Sequence, residues 1–127
     1  MADSILLNQA TIDATYDASP VAIGTNALST TLISGLTATK SASSSVWLSG
    51  NLTYTIVIDN QAGEDLVNPV ITDQLDISQV EFITGSVKID GTPTSNYTHT
   101  VGGLLTITVP TVTAGTTTTV TFQVSKL

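Results

Sequence analysis

At 127 residues the chain has room for one domain of ordinary size with an appendage, and is too short for two units that each bury a conventional core. Ten acids against three basic residues give a net charge of −7 and a pI near 4.1, which excludes nucleic-acid binding and a basic membrane-surface patch, since both require clustered Lys and Arg. The lack of Cys excludes a disulfide framework, a thiolate nucleophile and a Cys-ligated metal.

Residues 1–35 open with "MADSILLNQATIDATY". The start is acidic and no apolar run approaches the roughly 20 residues of a membrane span, so neither a signal peptide nor a membrane helix is visible. A solvated tail is depleted in large apolar residues, yet Ile5, Leu6, Leu7, Ile12, Tyr16, Val21 and Ile23 recur here between Thr, Asn, Gly and Pro20. The segment is therefore expected to be an extended N-terminal arm whose apolar residues bury either on its own domain or on a neighbouring subunit. Ten extended residues reach about 33 Å, against a radius of gyration of about 13 Å for a 100-residue domain. That reach favours donation to a neighbour, with Ile5, Leu7 and Ile12 as anchors.

From residue 36 onward the pattern is that of half-buried strands. Lys40 lies in the first of them, and Trp47 follows in "SSSVWLSG". In "NLTYTIVID" Leu52, Tyr54, Ile56 and Ile58 fall on one face and Thr53, Thr55 and Asp59 on the other. "VNPVIT", "QVEFITGSVKI", "YTHTV" and "LLTITV" are rich in β-branched and aromatic residues, and Gly85 with Ser86 predicts a bulge or bend inside the second of these. The last segment, "TTVTFQV", puts Val120, Phe122 and Val124 inward. Turn residues in "NQAGED", "GTPTSN", "VGG" and "PTVTAGT" separate these runs, and no segment carries a helical period. Short strands punctuated at roughly 8–12-residue intervals predict an all-β, Ig-like antiparallel β-sandwich of about seven strands over residues 36–127.

The run "TATKSASSSVWLSGNLTYTIVIDNQAGEDLVNPVITDQLDISQVEFITGSVKIDGTP", followed by "LLTITVPTVTAGTTTTVTFQV", resembles the bacterial and archaeal surface-repeat family called domain of unknown function eleven. The "G-x-L-T-Y-T-I" strand, the "N-x-x-G-x-D-L-x-N" loop, the "T-D-x-L" turn and the "F-x-x-G-S-V" strand carry it, over residues 38–125. Ile77 and Ser78 stand where the family often has a Pro-Gly turn, and relatives occur in tandem. The resemblance implies a sandwich that serves as spacer, adhesin stalk or filament building block. Single modules of this kind include subunits of spore appendages, which would place the chain outside the cell or on the cell or spore surface.

Candidate chemistry is sparse. His99 is the only imidazole, and no G-x-S-x-G elbow accompanies it, so catalysis is not expected. Zinc lacks its ligands, and Glu64, Asp65, Asp73 and Asp76 lack the regular spacing of a Ca²⁺ loop, so turn-forming roles are expected for them and no cofactor. Lys40 is a possible cross-link residue with a partner such as Asp73. Trp47 fits a core or subunit contact better than a sugar platform. "NLT" at Asn51 and "NYT" at Asn96 match glycosylation acceptors, a frequent accident in Thr-rich chains.

The expected function is that of a self-assembling structural subunit of an extracellular filament, pilus-like or a spore appendage, joined head to tail as a homopolymer through arm exchange. Other appendage or surface proteins are further possible partners. A Thr-rich surface without lysines guarding its sheet edges fits a chain that associates. The alternative is a solitary monomeric adhesin or spacer module whose loops bind a surface ligand.

Overall fold

The computed structural model describes residues 4–9, 11–24, 28–32 and 35–127, and the chain divides into two units, Met1–Ser34 and Gly35–Leu127. All regular structure among the described residues is β.

The first unit holds β1 (Ser4–Asn8), β2 (Thr11–Tyr16), β3 (Ser19–Gly24) and β4 (Leu28–Leu32). The arm is strand throughout these segments, but it is folded back on itself. Thr11 to Tyr16 pair antiparallel with Gly24 to Ser19, and Ser4 to Asn8 pair with Leu32 to Leu28. The reversal is made by Asp17 and Ala18, both at positive φ (48° and 61°), the backbone of a type I′ hairpin turn whose twist matches that of the flanking strands. The register brings Ile12 opposite Ile23 and Ala14 opposite Val21.

The second unit holds β5 (Leu36–Ala42), β6 (Leu52–Asn60), β7 (Val70–Gln74), β8 (Val80–Phe82), β9 (Lys88–Ile89), β10 (Thr92–Pro93), β11 (Tyr97–His99), β12 (Leu104–Thr108) and β13 (Thr116–Lys126). They form a six-stranded sheet of order β10-β9-β13-β6-β5, with β8 also on β13, and a three-stranded sheet of order β11-β12-β7. Every pairing is antiparallel.

The two sheets enclose one apolar core. Leu52, Ile56 and Ile58 of β6 and Val120, Phe122 and Val124 of β13 meet Leu105 and Ile107 of β12, with Val87, Val109 and Val112 filling in from the connections. The predicted alternation of β6 and β13 is thus the observed one, and each fully buried side chain of this size contributes about 1.5–3 kcal/mol. Phe122 lies at the centre, its ring 5.4 Å from Tyr54 and 6.4 Å from Phe82. Trp47 packs partly buried against this core, and its indole N–H donates to Gly50 O at 2.9 Å.

The segment "QVEFITGSVKI" is two strands rather than one bulged strand. Both β8 and β9 pair with β13, and the residues between them leave the ladder through a turn at Gly85, φ 82°. Ser86 bridges the interruption with its side chain. Its Oγ accepts the Gln123 N–H at 3.0 Å while Gln123 O accepts the Ile83 N–H at 3.0 Å, so the backbone of β13 stays satisfied between β8 and β9.

Candidate interaction surface

The two sheets have unequal widths, and the mismatch exposes one side of the sandwich. No described strand pairs with the outer side of β5 or of β7, so both are edges of their sheets. Across the β5–β6 ladder Leu36, Ala38, Lys40 and Ala42 stand opposite Asn60, Ile58, Ile56 and Tyr54, the inward face of β6. Residues with this register would ordinarily be covered by the facing sheet. Yet Ala38, Lys40 and Ala42 are exposed, as are Thr37, Thr39 and Ser41 on the other face. The three-stranded sheet ends at β7 and does not reach over β5.

Backbone hydrogen bonds show which polar groups each edge leaves free. Gln61 N–H donates to Gly35 O at 2.7 Å and Ser43 N–H to Thr53 O at 2.8 Å, so the odd-numbered residues of β5 bond to β6. In an antiparallel ladder the alternate residues then point their N–H and C=O outward, here those of Leu36, Ala38, Lys40 and Ala42. The same reasoning applies to β7, bracketed by Leu75 N–H to Gly103 O at 2.8 Å and Val109 N–H to Pro69 O at 2.9 Å. Its outward groups are those of Val70, Thr72 and Gln74, whose side chains are exposed on the outer surface.

One ion pair closes this seam. Lys40 Nζ on β5 lies 2.5 Å from Asp73 Oδ2 on β7, and 4.7 Å from the centroid of the Tyr54 ring. Lys40 is 44% exposed and Asp73 12%. Around the pair lies a depression of about 280 Å³ lined by Tyr54, Leu75, Asp76 and Val80 among others. The expectation of lysine-free edges is therefore corrected. Lys40 sits mid-way along an edge strand and Asp73 is a charge directed inward from another, two devices that discourage indiscriminate edge pairing. The sequence hid this because neither residue's edge position is local information; it depends on which strands neighbour β5 and β7.

The other singled-out residues are placed elsewhere. His99 stands on β11 opposite Leu105, exposed, with its ring 4.8 Å from that of Phe82. Asp65 accepts the Ala114 N–H at 2.8 Å, and Asp76 accepts from Ser78 N–H at 3.1 Å, Ser78 Oγ at 2.5 Å and Gln79 Nε2 at 2.9 Å. These are the loop-shaping roles expected of them. The Ser78 hydroxyl, followed by its backbone N–H, holds the Asp76 carboxyl below the usual aspartate range. Among the described residues no three His, Asp or Glu converge as a metal site. For Ile5, Leu6, Leu7, Ile12, Tyr16, Val21 and Ile23, expected as subunit contacts, strand pairing and register are described and side chains lie outside the description.

Sequence reasoning missed Asn60, the buried polar residue at the end of β6. Its Nδ2 donates to Glu64 O at 3.0 Å and Val112 O at 2.8 Å, and its Oδ1 accepts the Ala62 N–H at 3.1 Å, tying three segments together. An Asn ending an apolar alternation at an inward parity was the available signal.

Comparison with protein-family models, with curated proteins and with solved structures finds no match. The surface itself therefore carries the functional argument.

Proposed function

We propose that the chain is a structural subunit of an extracellular filament, assembled head to tail by docking the N-terminal unit of one copy onto the sandwich of the next. The observation that carries this reading is the open seam: two sheet edges side by side, with seven residues presenting outward backbone polar groups over an inward face left exposed. The same chain carries, outside the sandwich, strands that pair only two by two. Isolated two-stranded β structure is marginal in water and gains stability from a third strand or an apolar surface. A contact between unlike surfaces propagates into a filament unless its rotation happens to close a ring. Such a filament would lie on the cell or spore surface. No catalytic role is assigned to His99 or to any acid.

The sandwich core lies wholly within residues 52–124, so residues 35–127 retain it. Electron microscopy and sizing chromatography of the full chain against residues 35–127 test the proposal. Fibres or concentration-dependent oligomers are expected from the full chain alone. Full-length protein that stays monomeric at high concentration, or truncated protein that forms the same fibres, overturns it.

A further inference from the structure

We infer that the docking site is the outer edge of β7, with the exposed inward face of β5 as its floor, and that its occupant is β2 of a second copy; this rests on the assembly proposed above. Two edges border the seam, and exposure decides between them. A strand added to β5 would widen the larger sheet and leave Ala38, Lys40 and Ala42 uncovered, whereas a strand added to β7 completes the narrower sheet over those residues. Only addition to β7 accounts for a strand exposed on both faces.

Parity selects β2 from the first unit. In a two-residue hairpin the pair flanking the turn, here Tyr16 and Ser19, is hydrogen bonded, so Ile12, Ala14 and Tyr16 bond to β3. The outward backbone groups of β2 are then those of Thr11, Asp13 and Thr15. Pairing these with Val70, Thr72 and Gln74 of β7 puts Thr11, Asp13 and Thr15 at the solvent-facing parity of the completed sheet. Ile12, Ala14 and Tyr16 take the parity of Ile71, Asp73 and Leu75, which faces the interior. The sequence large, small, large at 12, 14 and 16 is complementary to small, large, small at Ala38, Lys40 and Ala42, the alternation that lets facing layers interdigitate.

The opposite strand of the hairpin is unsuited to the same task. The outward positions of β3 are Pro20, Ala22 and Gly24, and Pro20 has no N–H to donate. With β2 on β7, β3 becomes the new sheet edge, and Pro20 ends the sheet there as prolines do on edge strands. The choice of a second copy over the chain's own sandwich follows from the head-to-tail assembly proposed above.

Full-chain variants test the site. Thr72→Pro removes an N–H that points away from β12, so the sandwich keeps its ladder while strand addition loses its central donor. Ala38→Phe fills the floor beside Ile58 without replacing a buried side chain, since Ala38 is exposed. Both are expected to leave the monomer folded by circular dichroism and to raise the concentration needed for assembly at least tenfold. In assembled wild-type protein the amides of Val70, Thr72 and Gln74 are expected to exchange slowly. Assembly unaffected by both variants overturns the site, as does new protection at Ala38 and Lys40 instead of β7, which would place the arm on β5. Protection of β7 already present in monomers would mean that the chain's own arm fills the seam and likewise overturns the inference. In each of these cases failure of residues 35–127 to assemble leaves the filament reading standing; their assembly removes both.

Discussion

Lys40 and Asp73 join two strands that belong to different sheets, and the Nζ–Oδ2 contact of 2.5 Å is the ion pair that spans the open side of the sandwich. With Lys40 44% exposed, water competes for the ammonium group, and the pair contributes little to the free subunit. Lys40→Ala is expected to lower unfolding free energy by no more than about 1 kcal/mol, with the difference shrinking in high salt. Urea unfolding at two ionic strengths checks this. Amide formation between the two side chains expels water and is favoured in a dry site, so the intact mass is expected to equal that of the sequence. A mass lower by one water would show that Lys40 and Asp73 are covalently joined.

Asn60 sits where substitution costs more. It is 1% exposed, and removing its side chain takes the Asn60 donor from Glu64 O and Val112 O and the acceptor from Ala62 N–H, although Val112 O keeps the Leu66 N–H. Asn60→Ala is expected to destabilise the sandwich by about 2–4 kcal/mol, from lost hydrogen bonds plus a small cavity. Asn60→Asp is expected to be worse, since its carboxylate would face two carbonyl oxygens. Chemical denaturation of the pair of variants gives both numbers.

Two glycines of similar backbone make a contrast. Gly103 has φ 91°, and a Cβ there would stand 2.5 Å from Ile77 Cγ2 and 2.7 Å from Leu75 O. Gly115 has φ 79° with nothing within 4 Å. Both substitutions carry the left-handed penalty of about 1 kcal/mol for alanine, but only Gly103→Ala adds a steric clash with backbone. Gly103→Ala is expected to lower the thermal midpoint clearly more than Gly115→Ala; equal shifts would show that the β7–β12 connection yields.

Acid sensitivity is expected near Asp76. Its carboxyl titrates below the ordinary aspartate range because Ser78 and Gln79 donate to the ionised form. A depressed folded-state pKa contributes stability that is present above the unfolded pKa and is lost as pH falls through the folded one. Stability is therefore expected to drop as pH falls below about 4. Asp76→Asn should flatten that part of the profile, measured by thermal unfolding from pH 2 to 6, and an unchanged slope would assign the acid loss to other carboxylates.

The strands of the core were legible because their signal is local. Leu52 to Ile58 and Val120 to Val124 alternate strictly, and strands covered on one face require that alternation. The hairpin in the arm was not legible. Type I′ turns favour Asn-Gly or Asp-Gly, as at Asp90–Gly91 with φ 50° and 82°, whereas Asp17–Ala18 forces an alanine into the left-handed region. The split between β8 and β9 was half legible. Gly85 announced an irregularity, but that Ser86 would stand in for a strand depends on Gln123, far away in sequence. The candidate surface was the least legible part. Lys40 and Ala38 look like members of an ordinary half-buried strand, and only the narrowness of the opposing sheet leaves them exposed.

The position of β13 has a consequence for how the subunit comes into being. This strand runs between β6 on one side and β8 and β9 on the other, and joins Val124 to Leu52. Its residues follow every other strand of the sandwich in chain order, so during synthesis the earlier strands wait for a centre that has not yet emerged. Contacts so distant in sequence form slowly, because a long loop must close before any of them contributes. The nascent chain stays unable to present a finished β5–β7 seam until residues 116–124 have left the ribosome. In the proposed assembly, copies still being made would therefore be poor acceptors for finished ones, and chain order itself would delay polymerisation until β13 has been translated.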